Sequence, residues 1–149
     1  MGNYAFLKCK SLQSITIPNS VTNIGESAFS DTPWLKNKQL ENPLVIINNI
    51  LNDGKYCSGN VTIPDSVTSI TDGAFSFCKS LKSITISDSV TSIGDTAFWG
   101  CGSLKSITIP DSVTSIGIYA IPQNTIIHGK SGSFAEEYAK SYNIEFVAE

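Results

Sequence analysis

The chain repeats itself every 23 residues. Asp88-Ser-Val-Thr-Ser-Ile-Gly returns as Asp111-Ser-Val-Thr-Ser-Ile-Gly, and the Ser-Ile-Thr-Ile that precedes each, at 83–86 and 106–109, follows the same shift. A fixed period of about 20 to 50 residues is the mark of a stacked array, because each unit is one small supersecondary element laid on the next. Such a chain forms a solenoid with a long repetitive surface, which suits recognition of large partners better than chemistry on small ones. One unit alone buries too little apolar surface to offset the entropy of ordering its backbone, so the units must stack.

The apolar slots hold their register along nearly the whole sequence. The last strand position recurs as Ile17, Ile63, Ile86 and Ile109, with Leu40 counted into the place between the first two. Ala-Phe runs ahead of a leucine at Ala5-Phe6 and Leu12, Ala28-Phe29 and Leu35, Ala74-Phe75 and Leu81, and Ala97-Phe98 and Leu104. Within the unit 81–103, Ile84 and Ile86 alternate with Ser83 and Thr85, the period-two pattern of a strand with one buried face. Ser87-Asp88, replaced elsewhere by Pro18-Asn19, Pro64-Asp65 and Pro110-Asp111, signals a turn. Val90 and Ile93 then point inward around an outward Thr91-Ser92 pair. Ala97, Phe98 and Cys101 have the spacing of a single helical turn, which predicts a short helix or 3₁₀ turn closing the coil. The expected fold is an α/β repeat solenoid whose units of about 23 residues each hold two short strands and a helical turn.

Composition narrows the function classes. The 149 residues suit one domain, with repeats over 1–122 and a closing segment over 123–149. Charged residues are 15% of the chain and the net charge is −3, so the basic excess that nucleic acid or an anionic membrane demands is missing. No apolar run is long enough to span a bilayer, and no leader follows Met1, so no membrane insertion is expected. Met1-Gly2-Asn3-Tyr4-Ala5-Phe6 falls in register with Ile24 to Phe29 and with Ile93 to Phe98. The chain therefore starts in mid-repeat, and we expect a fragment of a longer protein that has lost an upstream signal peptide.

Two regions depart from the repeat. Between 32 and 60 the pattern lapses at Thr32-Pro33-Trp34-Leu35, and Pro43 to Gly54 reads as two short apolar strands split by Asn48-Asn49, a hairpin, with Asp53-Gly54 as a second tight turn. This is either a longer unit that keeps register or a protruding ligand-contacting hairpin. Beyond Thr125-Ile-Ile-His-Gly, Ser133-x-x-Glu136 carries a capping-box signature. Phe134, Tyr138 and Tyr142 fall on one helical face, Asn143 ends the helix, and Ile144 and Phe146 suggest a final strand. Together they predict a helix-strand cap.

Candidate chemistry is sparse. Cys9, Cys78 and Cys101 share one slot, filled by Thr32 in another unit, and are expected as buried free thiols stacked in rungs, while Cys57 lies outside that slot. No metal-ligand spacing occurs, and the Asp65, Asp88, Asp111 ladder, with Asn19 in the same slot, reads as a row of Asx turns before it reads as a calcium site. His128 stands alone, and Glu136-Glu137 point apart on their helix, so no catalytic residue, metal or cofactor is assigned and the chain is read as no enzyme. The interaction candidates are the outward rows. Thr16, Thr62, Thr85 and Thr108 run beside Ser83 and Ser106, Lys82 and Lys105 share the slot after the repeated leucine with Lys36, and Phe77 and Trp99 supply an aromatic patch. The same residues also suit a plain solvent face that resists edge pairing.

Leu-Lys-Ser-Ile-Thr-Ile-Pro-Asp-Ser-Val-Thr-Ser-Ile-Gly at 104–117 and Ala-Phe-x-x-Cys-x-Ser-Leu at 97–104, 74–81 and 5–12 resemble the BspA-type leucine-rich repeat. The resemblance covers complete units near 12–34, 58–80, 81–103 and 104–122, with a divergent one at 35–57. It implies a leucine-rich-repeat right-handed superhelix and a secreted or cell-surface protein of bacteria or protozoa. It further implies a non-catalytic adhesion module that binds host or partner protein, or possible glycan. A passive stalk, and more remotely a hydrolase, are the alternatives.

Overall fold

The computed structural model describes all 149 residues. Ten strands and two helices follow in chain order: α1 (Pro33–Glu41), β1 (Val45–Ile47), β2 (Ile50–Asp53), β3 (Gly59–Thr62), β4 (Ser69–Ile70), β5 (Leu81–Thr85), β6 (Ser92–Ile93), β7 (Ser106–Thr108), β8 (Ser115–Ile116), β9 (Ile126–Gly129), α2 (Phe134–Tyr142) and β10 (Phe146–Ala148). They form two five-stranded sheets, ordered β1-β2-β4-β6-β8 and β10-β9-β7-β5-β3. From the unit at 58–80 onward each repeat contributes one strand to each sheet, so these neighbours are parallel and equivalent residues stand opposite: Ile70 beside Ile93 beside Ile116, and Ile84 beside Ile107 beside Ile127. Alternation of Ile with Ser and Thr sends the isoleucines inward, and Ile63, Ile86 and Ile109 form the buried column that the period predicts.

The third side of the coil corrects the expected helical turn. Two residues per unit adopt positive φ: Tyr4, Ser27, Gly73, Thr96 and Tyr119 in one slot, and Lys8, Asp31, Phe77 and Gly100 in another. Left-handed residues on both sides of Ala-Phe bend the chain out of a helical path. Alternate amides there donate to the next coil instead of to their own turn. Gly73 N–H reaches Asp95 O at 2.8 Å, Phe75 N–H reaches Ala97 O at 2.7 Å, and Phe77 N–H reaches Trp99 O at 2.7 Å. The side is a third hydrogen-bonded ladder, and it stacks Phe75 on Phe98 with ring centroids 5.1 Å apart.

The divergent unit breaks this ladder. Thr32 caps α1 by accepting the Leu35 N–H at 3.1 Å, with Pro33 at the first helical position, an arrangement both residue types favour. Residues 36–40 are therefore helical, and Leu40 is 78% exposed rather than in the strand column. With no strand from that unit beside it, Ser14 to Ile17 forms none either. The hairpin β1–β2 forms as expected, its turn made by Asn48 and Asn49 at φ 49° and 65°.

Register resumes at Gly54. Its N–H donates to Ala74 O at 2.7 Å and its carbonyl accepts from Cys57 N–H at 3.0 Å, as Phe75 does with Ala97 and Cys78. Cys57 thus stands in the cysteine slot, 25 residues after Thr32 and 21 before Cys78. The two irregular spacings add up to two ordinary periods, which hid this residue from a count by 23. Asp53 and Gly54 occupy the Ala and Phe places. The stack of phenylalanine rings is interrupted there, and the buried apolar residues fall into two clusters, one from Ile24 to Ile50 and one from Leu51 to Ile144.

The C-terminal cap follows the sequence closely. Ser133 caps α2, the Glu136 carboxylate accepts the Gly132 N–H at 2.6 Å, Asn143 ends the helix at φ 54°, and β10 lies parallel to β9. Ala135, Tyr138 and Ala139 cover the last coil, and the Tyr138 hydroxyl accepts the Ile121 N–H at 3.3 Å. Phe134 is 39% exposed and stands outside that contact face.

Candidate functional site

The outer face of the second sheet carries the polar row. Thr62, Thr85 and Thr108 are exposed and directly opposite one another on β3, β5 and β7, and His128 of β9 continues the row. The His128 ring Nδ1 lies 3.1 Å from Glu149 Oε1. Lys82 and Lys105 are exposed, whereas Ser83 is half-buried and donates to Asn60 Oδ1 at 2.9 Å, and Ser106 is half-buried beside Ile126. Thr16 is exposed but separate from this row, because α1 replaces the strand between them. Lys36 likewise lies on α1 and leaves the lysine row.

The aromatic candidates do not pair with each other. Phe77 is 65% exposed and its ring lies over Gly100, where an added Cβ would sit 2.8 Å from Cδ1. Trp99 instead meets Tyr119 edge-on at 6.1 Å, Tyr119 meets Tyr142 at 5.7 Å, and Tyr142 stacks on Tyr138 at 4.4 Å. Phe77 and Trp99 are 22 residues apart, one short of the period, so they occupy different slots. The tyrosines belong to the last coil and the cap, which a search within the repeat passes over.

A polar groove of about 460 Å³ along the first sheet was not apparent from the sequence. Ser69, Ser92 and Ser115 line its floor with Asn3, Asp72 and Asp95 beside them. Each of these three side chains accepts the amide of the residue one coil on: Asn3 from Glu26 at 3.0 Å, Asp72 from Asp95 at 2.8 Å, Asp95 from Ile118 at 2.7 Å. The Asp65 and Asp111 carboxylates of the turn row accept from Ser87 at 2.6 Å and Lys130 at 2.7 Å.

Of the slot cysteines, Cys78 and Cys101 are buried and their thiols donate to Cys57 O at 3.0 Å and Phe75 O at 3.1 Å. All four cysteines are free thiols. Burial pushes Cys57 up to about 11 and Cys101 up to about 12. Cys9, in contrast to the expectation, is exposed.

A cavity of about 910 Å³ opens where the repeat breaks, between the turn after Cys9, helix α1 and the segment after β2. Asp53 sits in its wall, 4% exposed, accepting the Gln39 Nε2 amide at 2.9 Å and the Lys55 N–H at 3.3 Å, with Lys55 Nζ at 3.9 Å. Burial raises its carboxyl above the ordinary carboxylate range, against the opposing pull of Gln39 and Lys55.

No helix is long and apolar enough to cross a membrane. No curated protein matches the chain. A family model, the BspA type leucine rich repeat region, matches residues 1–55 and 53–129 with six copies.

Proposed function

Since this chain belongs to the BspA-type leucine-rich repeat family, whose repeats are in general surface-associated, protein-binding and non-catalytic, we propose that it is the binding module of a secreted or cell-surface adhesive protein. Its ligand is a macromolecule, a host or partner protein, taken along the polar exterior. The observation that carries this reading is the unbroken row Thr62, Thr85, Thr108 with Lys82 and Lys105 beside it. Equivalent hydroxyls recur there at the strand spacing of about 4.8 Å, a geometry that meets an extended chain at regular intervals. Exposed threonines hold their rotamers through β-branching, so little side-chain entropy is lost when a ligand orders them.

The test is surface plasmon resonance of the folded chain against matrix and serum glycoproteins, with an unrelated solenoid as control. Binding that falls when Thr62, Thr85 and Thr108 are together changed to alanine supports the reading. Binding no better than the control, or attachment of the intact protein that ignores the triple change, assigns these repeats to a passive stalk.

A further inference from the structure

Beyond the strand-face reading, and independent of it, we infer that the cleft at the repeat break is a second binding site, for an acidic peptide segment bearing a large apolar side chain. The cleft lies beside the place where Asp53-Gly54 replaces Ala-Phe: the Phe75 ring packs against Gly54 where an added Cβ would overlap it, and Asp53, in the alanine place, stands in the cleft wall. A buried carboxylate in place of alanine weakens the core, and departures of this kind concentrate at functional sites.

The lining states what fits. Leu40 at 78% and Tyr56 at 71% are the two most exposed large apolar side chains of the protein, and both border this cleft. Lys10, Lys36 and Lys55 surround it, and Lys10 and Lys36 have no ion-pair partner, in a chain whose net charge is −3. Asp53 turns inward and holds Gln39 by Nε2, which leaves the Gln39 Oε1 free to accept a peptide N–H. Asp31 is the one other acid in the lining. The cations pair with ligand carboxylates, and the Leu40 and Tyr56 surfaces take its apolar side chain. That second demand favours a peptide over a sulfated glycan, which offers charge without an apolar group.

The experiment uses the full chain, isotope-labelled for NMR, and a blocked pentapeptide with a central phenylalanine flanked on both sides by glutamates. The expected result is a saturable shift of the Gln39 side-chain amide and of Tyr56 and Leu40 resonances that weakens with salt. Affinity is expected to fall about tenfold in Lys10→Glu/Lys36→Glu, both exposed positions, and to fall in Tyr56→Ala. Thr85→Ala should leave it unchanged, which separates failure here from failure of the strand face. Equal binding of the peptide with lysines in place of glutamates, binding indifferent to the double variant, or binding of heparin but not of the peptide overturns the inference.

Discussion

Asp72 and Asp95 occupy one slot in consecutive coils, and the Asp72 Oδ1 accepts the Asp95 backbone N–H at 2.8 Å. The same oxygen lies over Gly94, where any Cβ would overlap it. Asp95 does the same for Ile118 and Gly117. Gly94→Ala must push one coil from the next, so we expect a loss of about 1 to 3 kcal/mol. Asp72→Ala removes only a part-exposed hydrogen bond and should cost roughly 0.5 to 1.5 kcal/mol. Urea denaturation of both variants checks the order; a harmless Gly94→Ala would contradict the close approach.

Asp53 sets a pH dependence. Because burial raises its native carboxyl, the folded state holds that proton to higher pH than the unfolded chain does. Its contribution to stability is therefore fullest below the unfolded carboxyl range and declines as pH rises through the native value. Asp53→Asn keeps an acceptor for Gln39 and the Lys55 amide without the buried charge. Thermal melts should show the variant more stable than wild type at neutral pH, with the difference closing in acid. A variant less stable at neutral pH would mean that Lys55 outweighs burial.

Thiol access follows from position in the stack. Iodoacetamide at mildly alkaline pH should modify only Cys9 in the native protein, since Cys57, Cys78 and Cys101 are buried, with burial raising each of those thiols. All four should react in denaturant. Native labelling of Cys57, mapped by mass spectrometry, would contradict its place in the core.

The two phenylalanine stacks differ in cover. Phe98 is fully buried between Phe75 and the last coil, so Phe98→Ala should cost about 3 to 5 kcal/mol. Phe6 is half-buried at the end of its stack, and Phe6→Ala should cost roughly half of that or less. Equal losses in chemical denaturation would count against the divided core.

Local regularity decided what was legible from the sequence. Ile84 and Ile107 could be paired without coordinates because a parallel stack copies one register into the next, and Ser133, Glu136 and Asn143 announced their helix by capping chemistry. Counting by 23 carries Leu40 into a strand slot and so hides helix α1, although Thr32-Pro33 is also a helix start. The same count conceals the slot of Cys57. The turn at Ala97-Phe98 read as helical because its spacing is helical; the left-handed Thr96 and Gly100 that divert it are set by hydrogen bonds to the next coil, which spacing within one unit does not encode. Of the outward rows, the alignment of Thr62, Thr85 and Thr108 is legible from the period, while the cleft beside Asp53 lies at the break and so in no repeated slot.

The division of one stack into two cores at the register break is most directly read by native-state hydrogen exchange. Two protection levels that change near Ile50 and Leu51 are expected, with Phe75, Phe98 and Ile107 amides slowest and those of Phe6 and Trp34 opening earlier as a separate group. A single level from one end to the other, or slowest exchange in the segment 1–50, would contradict it.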